Sequence, residues 1–520
     1  MLCSGFFKDS DNKDSPVFHP QQPFVNFWHR MLEDGDINMM DQSYMLTRDQ
    51  FSASDPGSLP NKNEIRGLLA AAPRPFVLAN ERELSVLRRG LTKDGWKRSL
   101  YLQDVPPEAI SLNGAGLLSY ANKWLATEIK IPERSGRYHD FFCDDGTRLK
   151  VPDDLSNPGS VFTCPECGRT YSGEKFDGSI RWLQHMTLAA GCLALAIVYQ
   201  LDREPEYAEK AAEILRKYAE AYPGPHTGVD DGGLLYQSIH EATWSIPLAQ
   251  AYDLVYHCKC VSSADRDNIE NKLLKPIANG LLSLKCTGNW ESWHLSAAGV
   301  IGCATKDSEL LNEALQRFAT QISDELGKDG IWPESVHTYH FWPLSAFVNL
   351  AEACIRAGID LYSYQPVRGK SLKAMFLAPL NYAYPSFQLP AIKDGWYRSV
   401  LPLSLYEVAY RRWGDPAFAW VLKTGYSFAK RPTCVAHVMF HTLFSRSSLY
   451  AFLFGRDLPG RVVDLTLAST VFEGLGVGIL RSDAGTVITF NYGPFLEHGQ
   501  RDKLSITLYA NRRVLCADYG

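Results

Sequence analysis

Three short segments gather side chains that can move protons or grip a polar ligand. Gly288-Asn-Trp-Glu-Ser-Trp-His294 combines an amide, two indoles and an imidazole, and Trp290 and His294 are four apart, hence on one face if the segment is helical. Asp329-Gly-Ile-Trp-Pro-Glu-Ser-Val-His-Thr-Tyr-His340 brings Glu334, Tyr339 and His340 to a helix start marked by Pro333. Tyr339 and His340 are adjacent, so only one of them can face a given cleft. Glu497-His-Gly-Gln-Arg-Asp-Lys503 is a charged loop leading into a β-like run. Histidine and tyrosine are general acid–base groups, and Glu241, Glu291 and Glu334 keep open a paired-carboxylate hydrolysis. The competing reading of each segment is plain structure: a core histidine between tryptophans, an aromatic helix seam and a solvated hairpin loop.

A fourth group is metal-binding in type. Cys164-Pro-Glu-Cys167-Gly places two thiols two residues apart, the spacing that wraps one tetrahedral zinc. Cys143 is a third nearby thiol, and His139 is the expected fourth ligand of a structural site. Two reduced thiols in a tight turn is the alternative.

These groups need elements to hold them. Residues 1–60 are rich in Asp, Asn, Ser and Pro and read as an irregular arm. From 61 to 432 the apolar residues recur three and four apart, predicting helices over 179–201, 206–221, 233–256, 264–284, 289–303, 308–326, 335–357, 370–382, 398–412 and 415–428. Gly, Pro and Asp turns separate them, and a cysteine-bearing insertion at 137–178 interrupts the pattern. Many of these helices are apolar on more than one side, which suits helix pairs closed into an (α/α) toroid. Residues 433–520 change to β-branched, alternating runs at 462–467, 476–481, 486–490, 504–509 and 514–516, predicting an antiparallel sheet. The chain stops straight after such a strand.

Composition narrows the function. The chain has 520 residues, 45% hydrophobic, with a formal net charge of −5, which leaves no basic excess for a phosphate backbone. Nucleic acid is therefore not an expected partner. Twelve irregularly spaced cysteines do not form a disulfide framework, and the first residues lack a signal-like apolar core, so a cytoplasmic location is expected. The longest apolar run, Met186 to Leu201, is shorter than the roughly 20 residues of a membrane span and reads as a buried helix.

Taken together, the segments resemble the heparinase II/III-like polysaccharide lyases, and within them the oligoalginate and exo-heparinase branch. The resemblance runs in order through Gln237-Ser-x2-Glu241-Ala-x-Trp244, Asn289-x3-Trp293-His294, Asp329-Gly-x-Trp-x-Glu334-Ser-x3-Tyr339-His340, Leu350-Ala-Glu-Ala and His498-Gly-x2-Asp502-Lys-Leu-Ser505. It implies an (α/α) toroid followed by an antiparallel β-sandwich, with an acidic polysaccharide or oligosaccharide bound between them and no catalytic cofactor.

Such lyases remove the C5 proton of a uronate and expel the group on C4 by β-elimination. The adjacent carboxylate must be neutralised before that proton becomes acidic. The resemblance assigns neutralisation to His294 and Asn289 with Arg181 as a second cation, acid–base duty to Tyr339, and a far-side group to His498. It places Trp290, Trp293, Gln237, Glu334 and His340 along the substrate. Related lyases often carry a second histidine where Gln500 stands, which argues against a metal in the β region. A glycoside hydrolase on the same toroid, or a glycan-binding relative without activity, are the alternatives.

Overall fold

The computed structural model describes residues 58–518 except 94, 105–115, 156, 335–337, 394, 396–398, 429–445 and 494–502. The arm predicted for residues 1–60 falls almost entirely outside that range.

The chain begins with α1 (Lys62–Ala71), α2 (Glu81–Leu91), α3 (Trp96–Leu102) and α4 (Leu117–Ala126). The first two start at capping boxes, Asn61 with Glu64 and Asn80 with Glu83, in which side chain and backbone exchange bonds that the first turn would otherwise leave unmade. After the insertion come α5 (Glu174–Asp202), α6 (Pro205–Ala221) and α7 (Ser238–Val255). A helix interrupted by one π turn follows, with α8 (Ser263–Ile269), the π turn Glu270–Leu274 and α9 (Lys275–Ser283). Next come α10 (Gly288–Thr305), α11 (Ser308–Thr320) with a π turn at Gln321–Glu325, α12 (Thr338–Arg356) and α13 (Leu372–Tyr382). The helical part closes with α14 (Leu403–Trp413), α15 (Pro416–Ser427) and α16 (Leu449–Phe454).

Helices α5, α7, α10 and α12 pack side by side in that order, and α6, α9 and α11 return outside them. Inner helices in such a ring touch neighbours on both flanks and an outer helix behind, so apolar residues must cover their whole circumference. The sequence of α7 answers that demand: every residue but Pro247 is buried. In α10 all but Trp290 are buried. Helix α5 is long and apolar enough to cross a membrane by composition, but most of it is enclosed by the protein, as expected for a core helix.

Within the insertion, the hairpin β1 (Val161–Thr163) and β2 (Thr170–Ser172) carries the Cys164-x2-Cys167 turn. A short hairpin of β3 (His226–Gly228) and β4 (Asp231–Gly232) precedes α7. The β region is a five-stranded antiparallel meander of β5 (Thr470–Phe472), β6 (Val477–Arg481), β7 (Val487–Asn491), β8 (Ser505–Ala510) and β9 (Arg513–Cys516). Its inner face, with Phe472, Val477, Ile479, Val487, Thr489, Thr507 and Tyr509, is buried on the helices near the end of α13. There Tyr384 stacks on Tyr509 at 4.9 Å and bonds Thr507 Oγ1 at 2.6 Å, while Arg481 donates to the carbonyls of Asn381 and Ala383.

Two expectations change. The run 462–467 contributes one isolated bridge residue rather than a strand, because the sheet edge is taken by β5. Residues assigned to the β region also include α16, which packs on α14 and joins the helical body through Phe452 stacked on Tyr101. Its Leu-Tyr-Ala-Phe-Leu-Phe sequence is β-prone, but tertiary packing decides its state. Among the described residues the β region is one sheet, with Val471, Ile506 and Leu515 exposed on the meander.

Candidate active site

Because an outer segment returns between successive inner helices, α5, α7, α10 and α12 run in the same direction and start at one end of the ring. Arg181 lies in the second turn of α5, Gln237 caps α7, and Asn289, Trp290, Trp293 and His294 occupy the first two turns of α10. Tyr339 and His340 open α12. Residues spread over some 160 positions thus stand at one end of the ring, where the helix N-termini add partial positive charge.

The start of α10 is held by acids rather than by its own cap. Thr287 makes no side-chain cap bond; instead the Gly288 amide donates to Glu325 Oε2 at 3.0 Å and the Asn289 amide to Glu334 Oε2 at 3.0 Å. Both donors would otherwise be orphans of the first turn. The π turn in the outer helix presents Glu325 and Gln321 to this point, and Gln321 Nε2 donates to the Gly288 carbonyl at 2.9 Å. Gly288 has φ +61, and a Cβ there would stand 2.7 Å from Glu334 Oε1, so only glycine fits.

Glu334 is the centre of a longer chain of contacts. Its carboxylate also accepts from Asn289 Nδ2 at 2.7 Å and Trp332 Nε1 at 2.6 Å. The Trp332 amide donates to His340 Nδ1 at 3.1 Å, and His340 Nε2 donates to the Met375 carbonyl at 2.8 Å. That pattern fixes one tautomer, and burial pushes the His340 pKa down to about 4 despite the Met375 bond. Both expectations for substrate contact through Glu334 and His340 are therefore corrected. They are buried, their polar atoms are engaged by protein groups, and they tie the start of α12 to that of α10.

His294 is fully buried, and neither ring nitrogen has a protein hydrogen-bond partner. Burial, with the nearby His226 and Arg317 charges, drives its pKa down to about 3. It is a neutral imidazole that offers one N–H and one lone pair, whereas the sequence pointed to a source of positive charge. Trp290 is half-buried and meets the imidazole edge-on at 6.3 Å.

A second buried histidine, which the sequence did not single out, has its pKa shifted the opposite way. His226, in β3, donates through Nδ1 to the carbonyls of Gly228 and Asp231 at 3.1 and 2.9 Å. Its Nε2 lies 3.3 Å from Glu241 Oε2, near enough for an ion pair though not aligned as a hydrogen bond. Burial opposes the charge, but Glu241 and the two carbonyls outweigh it and raise the His226 pKa. Glu241 also accepts from the amides of Leu234 and Leu235 and from Tyr222. Nothing in the spacing of Pro225-His226-Thr227 marks it, because its partners come from the following loop and α7.

The remaining predicted residues divide. Tyr339 is half-buried in the first turn of α12. Gln237 is half-buried and donates to Asp230 at 3.2 Å. Trp293 is buried against Trp342 at 4.3 Å in the α10–α12 seam. Arg181 pairs with Glu174, bonds the Arg134 carbonyl at 2.9 Å and borders a cleft of about 860 Å³ that includes Trp124 and Gln184. That cleft contains none of the other predicted residues. His498 and Gln500 lie outside the described residues. Lys393, also missed, is buried with φ +60 and points its Nζ at the Pro333 carbonyl, 3.4 Å away, in the turn that leads to Tyr339. Burial, with Lys503 nearby, pushes its pKa down to about 8.

In the insertion the thiols of Cys143, Cys164 and Cys167 converge, and the carboxylate of Asp145 joins them. His139 is exposed and is not part of the group, which corrects the expected fourth ligand. It lies on the 3₁₀ turn before the hairpin that presents Cys143, whereas Asp145 lies within that hairpin turn.

Residues 130–386 match the family model described as alginate lyase. The chain is 28% identical over 251 residues to an alginate lyase of Stenotrophomonas maltophilia (strain K279a), covering 45% of this chain and 33% of that protein. It is 23% identical over 346 residues to an exo-oligoalginate lyase of Saccharophagus degradans (strain 2-40), covering 62% and 45% respectively. This chain thus spans between a third and a half of the length of these relatives. Among solved structures, heparinase III aligns with a TM-score of 0.48 at 14% identity, over 88% of this chain and 64% of that one. Alginate lyase A1-III from Sphingomonas species A1 aligns at 0.46 and 16%, over 77% and 100%.

Over residues 130–386 the chain is thus similar to the alginate lyase family, within a structure whose helical ring leads into a β region.

Proposed function

We propose that this protein is a polysaccharide lyase that cleaves a uronate-containing acidic glycan by β-elimination, leaving an unsaturated uronate end. The observation that carries the reading is the common rim: Arg181, Gln237, Asn289, His294 and Tyr339 all stand at the starting ends of parallel inner helices. The alginate lyase match over the same helices supports it.

In this reading the uronate carboxylate is met by hydrogen bonds rather than by a bare cation. Asn289 turns its Nδ2 toward Glu334, which fixes the amide and leaves its second N–H and its carbonyl for the sugar. His294 donates one N–H from a buried site, where such bonds to a developing enediolate are worth most. Lys393, whose Nζ reaches the Pro333 carbonyl in the turn before Tyr339, is the nearby cation. Tyr339 takes the C5 proton, hands a proton to the departing O4, or does both. His498 is the candidate for the opposite face of the sugar. Trp290 is the surface for stacking a sugar ring.

The hydrolase alternative loses its carboxylates. Glu241 and Glu334 are consumed by the contacts above, and Glu291 is buried beside Arg317 at 3.3 Å. The test is a panel of purified alginate, heparan-type and chondroitin-type chains followed by ultraviolet absorbance, because only elimination makes a conjugated double bond. Tyr339→Phe is expected to lower turnover about 10³-fold or more with an unchanged thermal transition. Retained turnover in that variant, or cleavage without new absorbance, would sink the mechanism.

A further inference from the structure

We propose that the insertion carries a structural zinc site formed by the thiolates of Cys143, Cys164 and Cys167, with the Asp145 carboxylate as fourth ligand. The four ligand atoms lie within 4.8 Å of one another. Cys143 and Cys167 Sγ are 3.6 Å apart, too far for an S–S bond of about 2.05 Å. It is close to the roughly 3.8 Å between two sulfurs that each sit about 2.3 Å from one tetrahedral zinc.

The backbone is shaped for this. Two turns face each other, and each ends on a glycine in the left-handed region, Gly146 at φ +86 and Gly168 at φ +71. The first is closed by Cys143 N to Thr147 O at 2.8 Å and Gly146 N to Cys143 O at 2.9 Å. The second is closed by Gly168 N to Cys164 O at 3.0 Å and Cys164 N to Arg169 O at 2.9 Å. One bond, Lys150 N to Thr163 O at 2.9 Å, joins the two hairpins. Around the cluster, Tyr171 Oη stands 3.0 Å from Cys143 Sγ, the contact by which a hydroxyl orients a metal-bound thiolate. The Thr147 amide holds Asp145 Oδ1 at 2.8 Å, leaving Oδ2 for the ion.

A reason for the metal lies in the size of the local core. Phe141, Leu149, Phe162, Phe176 and Ile180 with the Cys143 and Cys164 side chains make up a cluster separate from the main core. So few apolar groups do not offset the conformational entropy of a loop-rich segment, and small units of this kind need a staple. Phe176 and Ile180 belong to α5, so the staple pins the insertion to the helix that carries Arg181. Three soft thiolates with one carboxylate favour zinc, and binding releases the thiol protons to solvent.

The test uses the full chain. Elemental analysis of protein purified without chelator is expected to find about one zinc per chain. Cys164→Ser with Cys167→Ser is expected to lower that content about tenfold or more, with cleavage by protease appearing between residues 141 and 172 while far-ultraviolet dichroism of the helices is kept. Cobalt exchanged into the wild-type chain is expected to give thiolate charge-transfer and tetrahedral d–d bands. Wild-type protein that holds no stoichiometric zinc and takes up none when it is added overturns the proposal. So do a Cys143–Cys167 disulfide found by peptide mass spectrometry and a stoichiometric iron in place of zinc.

Discussion

At the scale of single residues, the neutral state of His294 has a consequence for stability. Its pKa in the folded chain is about 3, below the ordinary value near 6.5 in the unfolded chain. The unfolded state therefore binds the extra proton first, so the stabilisation tied to neutral His294 is fully present above about pH 6.5 and is lost as pH falls toward 3. Each pH step of one below the unfolded pKa removes about 1.4 kcal/mol, so on the order of 2–3 kcal/mol disappears between about pH 6.5 and 4.5. His294→Leu lacks that penalty. Urea unfolding of both proteins is expected to show the variant gaining on the wild type by this amount over that window; parallel curves would refute the burial argument.

Glu334 belongs to the scale of elements, because it joins two helix starts. It accepts three bonds, from Asn289 twice and Trp332 once, and through Trp332 it sets His340 next to Tyr339. Glu334→Ala leaves those donors buried and unpaired, at a cost of about 2–4 kcal/mol. If Glu334 positions Asn289 and Tyr339 without touching substrate, kcat falls and KM stays nearly unchanged. A rise in KM alone would return Glu334 to the substrate-binding role that its motif suggested.

For the whole molecule, the sheet docks on the ring through few anchors, chiefly Tyr384 and Arg481 at the end of α13. Tyr384→Ala removes a buried ring stacked on Tyr509 and its bond to Thr507, costing about 3–5 kcal/mol. The strands β6 to β8 contain no tryptophan, so the helices report through fluorescence and the sheet through amide exchange. In the variant, exchange in β7 and β8 is expected to quicken at denaturant levels where fluorescence is still native. Equal acceleration in α7 and α10 would mean that ring and sheet unfold as one unit.

The sequence by itself determined the order of helices and strands, because periodicity is a local property. The expected helix at 206–221 is observed at 205–221, and that at 289–303 at 288–305. It also placed Asn289, His294 and Tyr339 at helix starts, which the structure has at Gly288 for α10 and Thr338 for α12. What only the tertiary structure decided was which side chains were free to act. Glu334 and His340 look functional in the chain and prove to be staples, because their partners lie 45 and 35 residues away. His226 looks ordinary in the chain, and Glu241 and two loop carbonyls raise its pKa. Burial and long-range partners set protonation and engagement, and neither quantity exists until the helices have closed around one another.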